Sequence, residues 1–168
     1  MPPWLLAERQ ALIEEILAAF EGISREGGVS WTEAQLLDNF ASPEECAAER
    51  AADGATWQEL LADLHWRSDG FEWCFLDLIG LAYYLPAGMI RTIQAGSDLE
   101  VGFILSLPNQ DEYHENRFEE LVAPLSLRQA LAVKRFLIYM EAISPDYGAW
   151  RKALENGWGY VGETGPVR

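Results

Sequence analysis

The sequence predicts an all-α protein: a single-domain bundle of about seven to nine short and medium helices around a central helix in the C-terminal half. Helix-start signals recur along the chain, in which Ser or Thr is followed three residues later by Glu or Gln. In such a capping box each side chain satisfies a free backbone N–H of the first helical turn. Most of these signals open a stretch whose apolar residues recur at helical spacing. The five boxes begin at Ser30, Ser42, Thr56, Ser97 and Ser126.

The first half of the chain is predicted to form four helices. Apolar residues such as Leu12, Ile16 and Phe20 make one stripe of a first helix over about 3–21. Glycines then mark a loop, and capping boxes open the next three helices. Their predicted ranges are 31–39, 43–53 and 57–66.

The second half is predicted to continue in helices. Because proline lacks the N–H that a helix interior requires, a helix over 75–85 should stop before Pro86 and a second should run from 86 to 96. Ser97 should cap a further helix, with a strand as the alternative, since β-branched and aromatic residues are dense there. The remaining predictions are an exposed acidic connection over 108–124 with one helical turn, a central helix over 127–143, a last helix over 145–156 and a loose tail over 157–168.

Composition predicts one folded domain over residues 1–168 with a strongly negative surface. The hydrophobic fraction of 49% and seven Trp support a large core. The net charge of −15 disfavours nucleic acid and anionic membranes as partners and favours a basic protein. Residues 1–56 hold eleven Asp and Glu against three Arg, so the negative field should lie mainly there. The alternative is that the charge serves solubility alone.

Motifs of common enzymes are missing from the sequence, which predicts a non-enzymatic protein without cofactor or metal. There is no HExxH, no GxxxxGK[ST] loop, no GxGxxG after a predicted strand and no GxSxG. Cys46 and Cys74 are expected to be reduced, small core residues of a cytoplasmic protein. The apolar stretch 73–90 is interrupted by Asp77 and Pro86, which favours a buried core segment over a membrane span.

Asp77 is the carboxylate most in need of a partner, because it lies within a run of large apolar residues. It should cap a helix, pair with a cation or accept a hydrogen bond from a hydroxyl such as Tyr83 or Tyr84. Arg50, one helical turn before Asp53 and able to bridge to it, is the candidate cation. These five residues are predicted to form a structural polar network, with a functional carboxylate as the alternative.

The connection 108–124 is the predicted partner-binding surface. Carboxylates around aromatic side chains suit an interface with a cationic cleft. The residues concerned are Asp111, Glu112, Tyr113, Glu115, Phe118, Glu119 and Glu120. Two alternatives remain: a plain solvated loop, and a surface on the helix that carries Glu44, Glu45 and Glu49.

The run FLDLIGLAYYLPAGM at 75–89 resembles a family of uncharacterised bacterial proteins that share Asp-x-x-x-x-x-Tyr/Phe-Tyr-Leu-Pro-Ala-x-Met. The similarity extends to 23–38, to the spacing of Arg50, Asp53 and Trp57, to 125–137 and to 150–158. The resemblance implies a small helical cytoplasmic protein, and some such families lie among the immunity proteins of toxin systems. No catalytic residue comes with it. The chain departs from the family at 80–82, where a charged residue is expected near the tyrosines.

Two functions follow as hypotheses. The first is an immunity-type inhibitor that binds and blocks a basic bacterial toxin domain. The second is a structural or regulatory interaction module, monomeric or homodimeric, without enzymatic activity.

Overall fold

The protein is mainly helical over the residues that the computed structural model describes, which are 3–52, 56–63, 66, 70–96, 99–106 and 117–163. These residues contain no strand, and the all-α prediction is confirmed. The α-helices are α1 (Pro3–Ala19), α2 (Trp31–Asp38), α3 (Pro43–Ala52), α4 (Trp57–Ala62), α5 (Leu78–Ala95), α6 (Leu99–Ser106), α7 (Arg117–Val122), α8 (Leu127–Ile143) and α9 (Ala149–Glu155). Short 3-10 helices lie at Phe71–Phe75, Pro145–Tyr147 and Trp158–Tyr160.

Local capping chemistry accounts for several of these helix starts. Ser42, Thr56 and Ser126 each accept a hydrogen bond from the backbone N–H three residues later, and that residue's side chain bonds back to the N–H of the cap. Ser30 caps α2 in the same way, but Glu33 does not complete the box. The box predicted at Ser97 lies outside the described residues.

The chain forms two compact units, residues 1–19 with 105–168 and residues 20–104, and the boundary falls within α6. The prediction of a single domain stays a prediction. In the first unit α8 packs against α1 and α9, and its bounds match the predicted central helix. Its buried residues include Val133, Phe136 and Met140.

Two predictions about the C-terminal part were wrong. The predicted helix over 145–156 is divided at Gly148, whose φ of 32° lies in the left-handed region, into a 3-10 turn and α9. The predicted loose tail begins with a 3-10 helix at Trp158–Tyr160, in which Trp158 is fully buried and its ring meets Phe118 edge to face, whereas Tyr160 is exposed. Residues 164–168 lie outside the described part.

In the second unit α5 is the buried helix, and it runs straight through Pro86. The predicted break at this proline was therefore wrong. Every residue from Gly80 to Ile90 is buried, so packing on all sides of the helix offsets the one backbone hydrogen bond that Pro86 cannot make. The helix ends at Gly96, whose φ of 75° suits the left-handed C-cap position.

Candidate functional site

Glu33 leaves its expected capping position and pairs with Arg50. Its two carboxylate oxygens accept hydrogen bonds from Nε and Nη2 of Arg50, both at 2.6 Å. The Glu33 side chain is 3% exposed and that of Arg50 is 42% exposed. The hydrogen bonds to Glu33 raise the pKa of Arg50 above its usual value, so the guanidinium stays charged. This two-point contact joins α2 to α3.

Asp77 caps α5 and at the same time holds the segment before α2. Its Oδ1 accepts hydrogen bonds from the N–H of Gly80 at 2.7 Å and from the N–H of Val29 at 3.1 Å. Helix capping is thus one of the predicted partnerships of Asp77, and the charge of Asp77 also contributes, after that of Glu33, to the raised pKa of Arg50. Position 80 requires glycine, because a Cβ there would collide with the carbonyl oxygen of Val29. The absence of a side chain at Gly80 permits the close approach of the two segments.

Tyr84 and Arg50, two of the other predicted network residues, reach the same segment. The Tyr84 hydroxyl accepts a hydrogen bond from the N–H of Trp31 at 3.1 Å, and the ring of Tyr83 meets that of Tyr84 edge to face at 5.0 Å. Arg50 Nη1 donates to the carbonyl of Gly27 at 3.4 Å. Asp53, the predicted partner of Arg50, lies outside the described residues. Asp77, Tyr84 and Arg50 therefore each bond to the backbone of residues 27–31.

Substituting Asp77 with alanine is expected to lower the free energy of unfolding by about 1–3 kcal/mol. The change removes the cap of α5 and leaves the N–H of Val29 without its acceptor. Asp77→Asn serves as the control, because its side-chain oxygen can accept the same bonds and should retain most of the stability. Urea denaturation measures both variants, and equal stability of Asp77→Ala and the wild type would contradict this role.

A groove lies between α2 and α3 and has a volume of about 380 Å³. Most of its lining is uncharged, and Glu33 and Arg50 complete it. The uncharged lining residues are Leu37, Ala41, Pro43, Cys46 and Ala47. Cys46 is a buried free thiol, as predicted, whereas Cys74 is exposed and the prediction of a core residue there was wrong.

Phe40 precedes Ala41 of the groove lining in the chain and is 96% exposed. It follows α2 in a Schellman turn, in which the N–H of Phe40 bonds to the carbonyl of Leu37 and the N–H of Ala41 to that of Leu36. The turn places Phe40 at a φ of 59°. Glycine normally occupies this position, because a side chain costs about 1–2 kcal/mol in the left-handed region. Among the described residues, no other non-glycine residue has a positive φ.

Carboxylates flank Phe40 and the groove in sequence. Asp38, Glu44 and Glu45 are exposed and Glu49 is half-buried. Hydrogen bonds from Ser42 lower the pKa of Glu45, which therefore keeps its negative charge to lower pH. We call residues 37–50 the α2–α3 corner. It combines an exposed aromatic ring, a groove whose lining is mostly uncharged, and four carboxylates close to both in sequence.

A model of DUF6714, described as a family of unknown function, matches residues 8–160. The chain belongs to DUF6714. No curated protein and no solved structure shows a significant match to it. The family resemblance expected from the sequence is thereby supported at the level of an uncharacterised family. The shared motif and the connection to immunity proteins are not established by this match.

The surface predicted over 108–124 in this DUF6714 chain is described only in its last part. Asp111, Glu112, Tyr113 and Glu115 lie outside the described residues. Residues 117–122 form α7, which fits the predicted helical turn. Phe118 is half-buried, with its ring 5.2 Å from that of Trp158, so packing within its own unit explains this residue. Glu119 is exposed and Glu120 is half-buried.

Sequence reasoning missed Phe40 and Glu33. Glu33 matched a capping box, so nothing marked it as the partner of Arg50. For Phe40 a signal did exist: α2 ends shortly before the next box at Ser42, and no glycine lies between them to take the left-handed position.

Two further findings concern the described part of this DUF6714 chain. None of its helices is both long and apolar enough to cross a bilayer. Within the same residues no group of three His, Cys, Asp or Glu side chains is placed to hold a metal ion.

Proposed function

We propose that the chain is an acidic protein-binding domain, an immunity-type inhibitor that binds and blocks a basic bacterial toxin domain through the α2–α3 corner. The observation that carries the proposal is Phe40. Its ring is exposed to water and contributes almost nothing to the core. Its backbone has a left-handed conformation that is unfavourable for a residue with a side chain. Burial of this ring in a complex would offset the cost of its exposure and of its backbone conformation in the free protein.

The chemistry around Phe40 is that of a binding hot spot for a cationic surface. Aromatic side chains dominate the binding energy of many interfaces when a partner's pocket desolvates them. The surrounding carboxylates would attract and orient a basic partner, and ionic strength would weaken that attraction. The net charge of −15 extends the same field over a longer range.

The second function is a structural or regulatory module that associates with itself. One feature favours it: α8 exposes Leu127, Leu131 and Ile138. Their spacing of four and seven residues places them on one side of the helix. Sedimentation of the wild type and of Leu131→Lys distinguishes this function, because a homodimer formed through α8 would dissociate in the variant.

Replacing Phe40 with glycine is expected to weaken partner binding at least about tenfold while raising the free energy of unfolding by about 1 kcal/mol. The ring is lost from the interface, and the left-handed strain is relieved in the free protein. Phe40→Ala should lose affinity without the gain in stability, since alanine keeps the strain. A basic protein recovered from the source cells with the tagged chain provides the partner, and calorimetry at low and high salt measures its affinity.

Tyr160→Ala is the matched control, because Tyr160 is 63% exposed and lies away from residues 37–50 in sequence. Its affinity should equal that of the wild type. A variant with Asp111, Glu112, Glu115, Glu119 and Glu120 changed to their amides tests the other predicted surface. If this variant loses affinity and salt dependence while Phe40→Ala binds normally, the α2–α3 corner is not the site.

A further inference from the structure

We infer that the α2–α3 groove receives one apolar side chain of a partner segment in which lysines or arginines flank that side chain. The inference rests on the proposed function and names the chemistry of the partner at the same corner. Phe40 would contact the partner from one side, while the partner's own apolar side chain would enter the groove.

The lining of the groove determines the kind of group it accepts. Two of the lining residues, Ala41 and Ala47, have small side chains, which helps to leave space between α2 and α3. Ala47 and Pro43 are exposed and Leu37 is half-buried, so uncharged surface that now meets water would be covered by an occupant. An aliphatic side chain gains from this burial, whereas a charged one would lose its hydration.

The Glu33–Arg50 pair keeps the groove open to a cationic segment. An unpaired arginine among the lining residues would repel lysines of a partner. Because both oxygens of Glu33 bond to Arg50 at 2.6 Å, the two charges compensate each other. The other charged residues within 37–50 are the carboxylates at 38, 44, 45 and 49.

Charge complementarity selects the occupant. A second copy of the chain placed symmetrically on this corner would bring the same four carboxylates against themselves. An acidic peptide would meet the same repulsion. A segment with basic residues on both sides of an apolar one matches both the carboxylates and the groove.

Two synthetic peptides test this chemistry: Lys-Lys-Gly-Leu-Gly-Lys-Lys with blocked ends, and the same peptide with Ala in place of Leu. NMR titration at low salt measures their affinities for the wild type, Ala47→Leu and Ala48→Leu. Ala47 lines the groove, whereas Ala48 is exposed on the same helix outside its lining. Both variants add the same bulk at a cost to helix propensity that is nearly zero.

The wild type and Ala48→Leu are expected to bind the Leu peptide about tenfold more tightly than the Ala peptide. Ala47→Leu should fill the groove and bind the two peptides equally. The inference is overturned if the wild type does not discriminate between the peptides, if it binds neither, or if Ala47→Leu still prefers Leu. The proposed function is tested separately, by the affinity of the protein partner for Phe40→Ala. If that affinity falls, the proposed function stands even when the peptide experiment fails. If that affinity equals the affinity for the wild type, the proposed function is wrong.

Discussion

Replacing Trp31 with alanine is expected to lower the free energy of unfolding by about 3–5 kcal/mol. Trp31 is 4% exposed, and its ring meets the rings of Trp66, Trp73 and Tyr84 edge to face with centroids 5.1–5.6 Å apart. The substitution removes apolar burial and three aromatic contacts, and it leaves a cavity. Chemical denaturation followed by tryptophan fluorescence and by circular dichroism measures the loss.

Trp4→Ala is the matched control, because Trp4 is 67% exposed and its removal should change the stability by no more than about 0.5 kcal/mol. Trp31→Phe should fall between the two, since a smaller ring retains part of the edge-to-face packing. A loss for Trp31→Ala no larger than that for Trp4→Ala would show that the aromatic cluster does not stabilise the second unit.

Replacing Arg50 with methionine is expected to lower the free energy of unfolding by about 2–4 kcal/mol. The carboxylate of Glu33, 3% exposed, would lose the cation to which both of its oxygens bond. Removing one partner of a buried pair costs about 3–5 kcal/mol. We expect a smaller loss of unfolding free energy here, because Arg50 is 42% exposed and water can partly replace its guanidinium.

The double variant Glu33→Met with Arg50→Met separates pairing from packing. Because no buried charge remains, it should be more stable than Arg50→Met alone. A double-mutant cycle completed with Glu33→Met gives the coupling between the two side chains. Additive effects of the two single substitutions would show that the pair contributes no stability beyond that of its separate side chains.

The sequence predicted those structural features that depend on residues close together in the chain. Helix α8 begins and ends where its pattern placed it, since Ser126 and Gln129 complete a box three residues apart. The all-α class followed in the same way from repeated local signals. The candidate site was found only in part: the helix with Glu44, Glu45 and Glu49 was one alternative, but Phe40 and the groove were not predicted.

The complete capping boxes at Ser42, Thr56 and Ser126 were determined by the sequence alone, because the donor and the acceptor lie within one turn and tertiary contacts are not needed to bring them together. The tertiary structure decided the rest. Glu33 bonds to a residue 17 positions away, and the backbone N–H groups of Val29 and Trp31 bond to side chains 48 and 53 positions away. These hydrogen-bond partners depend on which helices pack together. The same packing buries Pro86 inside a continuous α5, where the free energy of burial outweighs a local propensity to break the helix.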